Sequence, residues 1–132
     1  MKILPHLLIA CTLLVSACEK PQADQIYESL TAIENAMRTH INEPEKLLTA
    51  LDDCIDQYQD VWANSKVQEQ TADRERLTQE YDIRADKLRQ VMIHLVNLDL
   101  EIQDRLLDDP EMLRAYEARI ARIGTFRQPP AL

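Results

Sequence analysis

The chain has 132 residues with one glycine and 5% aromatics, a helical composition rather than that of a sandwich or an α/β fold, and a length that suits one domain with its own core. Its formal charge of −8 repels phosphate backbones and anionic headgroups, which argues against nucleic acid as a partner and against membrane attachment by a basic patch.

A short basic start at Lys2 leads into the apolar run Leu7 to Val15, which ends on small residues and a thiol at Val15-Ser16-Ala17-Cys18. The run is about half the ~20 apolar residues a spanning helix needs, and it matches the apolar region of a secretory signal. Those four residues, with an apolar stretch before them and a polar one after, resemble the lipobox of bacterial lipoproteins. The resemblance implies cleavage between Ala17 and Cys18 and a diacylglyceryl thioether on Cys18. It also implies that Glu19, where an aspartate would favour the inner membrane, directs the protein to the outer membrane facing the periplasm. Two or more acyl chains hold a protein stably, at ~0.8 kcal/mol per buried methylene, so no further hydrophobic segment is required. The expected organisation is a signal peptide over 1–17, a lipidated tether over 18–24, a helical domain over 25–124 and a loose tail over 125–132.

Beyond the tether, Ile26, Leu30, Ile33, Met37 and His40, with Ile41 beside it, recur at alternating steps of four and three, which predicts a first helix over Asp24–Ile41. Asn42-Glu43-Pro44-Glu45 carries the chemistry of a stop and a new start: a cap, a proline in the first turn and a glutamate at capping-box spacing. The second helix places Leu47, Leu51, Ile55, Tyr58 and Trp62 on one stripe. Residues 63–76 are nearly all polar, and Asn64-Ser65 with Gln68 offers a turn and a cap, so a hairpin is expected there. A third helix from Lys66 to Leu107 would then be ~60 Å long. Its second half has an apolar arc of about 220°, from Leu88 to Leu107, too wide for one neighbour. Asp108-Asp109-Pro110-Glu111 repeats the start chemistry and opens a fourth helix, which Gly124 stops. The expected fold is all-α: an antiparallel helical bundle of about four helices, one of them long.

The residues that could carry chemistry are few. The exported part holds His40, His94 and Cys54 on three different helices, with no metal-ligand spacing, so no metal or cofactor is expected. Cys54 lies in an apolar stripe and reads as an inert buried thiol. No glycine-rich phosphate loop or nucleophile–base motif is present, and the chain does not read as an enzyme. Asp99 breaks the apolar arc of the third helix, where a carboxylate must be paired, protonated or at an edge; His40, Arg119 and Arg122 are the candidate partners. Tyr58 and Trp62, with the excess apolar surface of the third helix, are the candidate contacts for a protein partner. The leading expectation is a lipid-anchored envelope protein that acts by contact with another envelope protein or with itself. The alternative is a sensor that binds a metal or a small apolar ligand.

Overall fold

The apolar stripe of the first segment forms as the spacing requires. The computed structural model describes residues 20–71 and 74–124, with backbone alone for 66–71. Its first helix, α1, spans Gln22–Thr39 and buries Leu30, Ile33 and Met37 along one face. It starts two residues earlier than the periodicity suggests, because Asp24 N–H and Gln25 N–H both bond to the Pro21 carbonyl. Residues 22–24, expected in a tether over 18–24, belong to this helix, and Ala23 is fully buried. Cys18, Ala17 and the tail over 125–132 lie outside the described residues.

After a turn over 40–43, α2 runs Pro44–Thr71 without interruption. The expected hairpin at Asn64-Ser65 is therefore not formed. The Ser65 hydroxyl does not cap a new helix; it donates to the Trp62 carbonyl at 2.9 Å inside α2. A serine bonded back in this way is compatible with a continuing helix. The single helix expected from Lys66 to Leu107 is likewise absent. In its place stand α3, Arg74–Ile83, and α4, Ala85–Arg105. Asp109 then caps α5, Pro110–Ile123, by accepting from Met112 N–H at 3.1 Å, with proline in the first turn. Gly124 ends it at φ 64°, a left-handed position that glycine takes without strain, and its N–H bonds to the Ile120 carbonyl at 2.8 Å.

The break between α3 and α4 has neither glycine nor proline. At Arg84 the backbone N–H turns to the Tyr81 carbonyl at 3.1 Å. The Glu80 carbonyl that a continuous helix would have used is taken by the Arg84 guanidinium at 2.9 Å. The same guanidinium forks onto Asp24 of α1, at 2.6 and 3.0 Å. Lys87 adds a contact to Asp24 at 3.5 Å and sits 4.3 Å above the Tyr27 ring. One arginine thus heals the break and anchors it to the start of α1.

Helices α1 and α2 run antiparallel, as do α4 and α5, as expected for the bundle, whereas α3 leads into α4 across the one-residue break at Arg84. Laterally, α1 packs between α2 and α4 and runs parallel to α4. The parallel pair is pinned by Asp24–Arg84, Glu34–His94 at 3.0 Å and Asn42–Arg105 at 2.5 Å, near its two ends and its middle. Asn42 therefore spends its amide oxygen on α4. On the other side α5 packs on α2, and Arg119 forks onto Asp52 at 2.9 and 3.0 Å. The core between these helices is built from Ile33, Met37, Leu51, Ile55, Leu95 and Ile120, all almost fully buried. Each such aliphatic side chain contributes about 1.5–3 kcal/mol relative to exposure.

The Asp24 clamp gives this fold a defined acid response. The hydrogen bond from Arg84, and then the charges of Arg84 and Lys87, hold the Asp24 carboxyl below its ordinary value against the opposing effect of desolvation. A depressed carboxylate stabilises the fold fully above the ordinary carboxylate range, and that contribution is lost as pH falls through the folded-state value. Asp24→Asn is therefore expected to lower the urea midpoint at neutral pH. Once pH lies below the folded-state value, where the carboxyl is protonated in the folded and unfolded chain alike, variant and parent should converge. An offset that stays the same across that range, followed by helical circular dichroism, would refute the clamp's role.

Candidate functional site

Two features of the bundle stand apart from ordinary packing: a polar pair inside it and an apolar stripe outside it. The polar pair begins with Asp99. Its place on α4, one turn from Leu95 and Ile102, puts it on the buried face, and it is 4% exposed. Its carboxylate accepts from the Tyr116 hydroxyl of α5 at 2.6 Å, and Tyr116 is itself fully buried. The expected partners are placed elsewhere. Arg119 pairs with Asp52, His40, the C-cap of α1, lies beside Glu45 and Asp53 of α2, and Arg122 is exposed. The sequence does carry a sign of the true donor, since a tyrosine in the middle of an apolar stripe must find a partner for its hydroxyl.

Trp62 is also an inward residue. It is 6% exposed, and its indole N–H donates to the Ser29 hydroxyl at 3.0 Å. Ser29, fully buried, donates its own hydroxyl to the Ile26 carbonyl at 2.7 Å. Trp62 is thus corrected from a surface contact to a core residue. Tyr58 lies half-buried against the same core.

The outer feature is the unpartnered side of α4. The wide apolar arc is covered by α1 and by α5 over only part of its width. Ile93, Val96 and Leu100 remain 52%, 39% and 59% exposed, and Leu107, just beyond the helix, 63%. On the opposite edge of α4, His94 reaches Glu34, which also accepts from Arg38 at 2.6 Å.

The remaining titratable candidates are not brought together. His40 borders an open depression of about 420 Å³ with Glu45, Lys46, Thr49, Ala50 and Asp53, and its Nδ1 is buried without a hydrogen bond. Cys54 is a free, buried thiol, pushed up by burial and by the neighbouring Asp53 carboxylate, so its reactive thiolate form is suppressed. Among the described residues no group of three or more His, Cys, Asp or Glu side chains is placed to hold a metal ion. Among the same residues no helix is long and apolar enough to cross a membrane. No protein family, curated protein or solved structure matches the chain.

Proposed function

We propose that this chain is a lipid-anchored envelope protein whose helical domain works by contact with other proteins and carries no catalysis of its own. Val15-Ser16-Ala17-Cys18 at the end of a short apolar run carries this reading. The thioether forms on Cys18, the bond after Ala17 is cut, and the acidic bundle is held at the outer membrane, facing the periplasm. The first helix supports this placement. It begins at Gln22, so no more than a few residues separate it from Cys18, and the bundle stands close to the lipid surface. An anchored bundle that leaves an apolar helix face bare is suited to binding a protein there.

The test is metabolic labelling of the full chain, expressed in a bacterium with an outer membrane, using an alkyne analogue of palmitate. The expected result is a labelled band that sediments with outer membranes. Cys18→Ala should lose at least about nine-tenths of the label and leave the outer-membrane fraction, because one or no acyl chain gives only marginal attachment. Label that persists without Cys18 would overturn the anchor. Crosslinking in intact envelopes tests the second half of the reading: a band of this protein free of any crosslinked species would overturn action by protein contact.

A further inference from the structure

We propose that the bare face of α4 is a self-docking surface, on which a second copy of this chain lays its own α4 antiparallel; the proposal rests on the contact-protein reading above and names the partner. At 100° per residue, Ile93, Val96 and Leu100 fall within an arc of about 60°. The same arc is turned away from the edge where His94 and Arg105 reach α1. Three exposed aliphatic residues over two turns form a seam of the width one helix can cover.

What selects a second copy, and its direction, is the charge at the two ends of the seam. One turn before Ile93 stands Arg89, and one turn after Leu100 stands Asp104, both exposed and both bordering the apolar arc. Parallel pairing would set Arg89 on Arg89 and Asp104 on Asp104. An antiparallel two-fold centred between Val96 and Asn97 sets Arg89 of each copy beside Asp104 of the other, twice, and packs Ile93 over Leu100. The seam is therefore complementary to itself in one orientation, as an isologous two-fold interface requires. Within one chain Arg89 already contacts Asp86 at 3.1 Å, between two exposed side chains. That is a contact of the kind that yields little stability and can be shared. Like charges flank the seam in Asp86, Glu101 and Asp104, which disfavours an anionic membrane as its occupant. A face of one short helix lies below the roughly 1,200 Å² typical of stable complexes. The dimer is accordingly weak in solution and favoured where an anchor confines both copies to one surface.

The experiment is sedimentation equilibrium of the full chain in a density-matched neutral detergent over a concentration series, with helical circular dichroism as the control for folding. All substituted side chains are exposed, so the fold is expected to survive. The parent should show a reversible monomer–dimer equilibrium. Leu100→Glu should weaken it at least about tenfold, since a charge then replaces buried apolar area in both halves. Arg89→Asp alone should weaken it about three- to tenfold, and Arg89→Asp with Asp104→Arg should restore it to within about threefold. A parent that stays monomeric at every concentration overturns the proposal. So does a dimer indifferent to Leu100→Glu, or a double charge reversal that fails to rescue. Binding of neutral phosphatidylcholine vesicles that is lost in Leu100→Glu, without dimerisation, would assign the face to lipid instead. A monomer still crosslinked to a different envelope protein would sink self-docking and leave the contact-protein reading standing.

Discussion

Trp62→Ala is expected to lower the unfolding free energy by about 3–5 kcal/mol, the range seen when a large aromatic leaves a packed core. Three losses combine. The indole is 6% exposed and fills space between α1 and α2, so its removal forfeits burial and leaves a cavity that two long helices cannot close by a small shift. The Ser29 hydroxyl also loses the donor that holds it at 3.0 Å, in a position with no access to solvent. Trp62→Phe separates these effects in part, because it removes the N–H but keeps one six-membered ring and most of the apolar volume. A drop of about 1–2 kcal/mol is expected for Phe. The measurement is urea unfolding followed by circular dichroism, with both variants at neutral pH. If Trp62→Ala costs less than about 1 kcal/mol, a surface value, the tryptophan is not the inward residue described here.

That error of side is informative about what a sequence shows. The helical period correctly places Leu47, Leu51, Ile55 and Trp62 on one stripe of α2, yet periodicity does not reveal what the stripe meets. Ser29 on α1 is small and polar, and nothing local marks it as the acceptor for an indole 33 residues away. The same limit explains the misplaced turn. Residues 63–76 are too polar to display a phase, so the cap-like chemistry of Asn64-Ser65 was the sole signal available. In the folded chain the Ser65 side chain is 8% exposed and spends its proton on the Trp62 carbonyl. The break at Arg84 was invisible for a different reason. It carries no proline or glycine, and the clamp that stabilises it comes from Asp24, 60 residues earlier.

Where the chemistry is local, the reading holds. Asp109, Pro110 and Gly124 bound α5 through interactions confined to neighbouring residues. The excess apolar width of α4 was equally legible, because the number of faces a helix covers is counted from its own residues. The two neighbours that α4 receives leave Ile93, Val96 and Leu100 bare, and this surplus is what both functional proposals use. Asp99 was likewise conspicuous by its place in an apolar arc. Its partner was not, since Tyr116 meets it through the register between α4 and α5, a property of the packed bundle alone.

That pair supplies the second large effect. Tyr116→Phe removes the hydroxyl that donates to Asp99 at 2.6 Å and changes nothing else in the ring. The carboxylate stays at 4% exposure with one donor fewer, and a buried acceptor stripped of a hydrogen bond costs about 1–3 kcal/mol, more when it is charged. Asp99→Leu makes the opposite cut and leaves the tyrosine hydroxyl buried without this acceptor, again at about 1–3 kcal/mol. The double variant, Asp99→Leu with Tyr116→Phe, replaces both polar groups with apolar ones of similar shape, and such replacements are often neutral or stabilising. The two single costs should therefore not add: the double variant is expected to be at least about 1 kcal/mol more stable than their sum predicts. Urea unfolding of the four proteins closes the cycle. Additive losses would show that Asp99 and Tyr116 are energetically independent. A coupled cycle with a fully stable double variant would show instead that the pair contributes little net stability, each polar group being tolerated in the core because the other satisfies it.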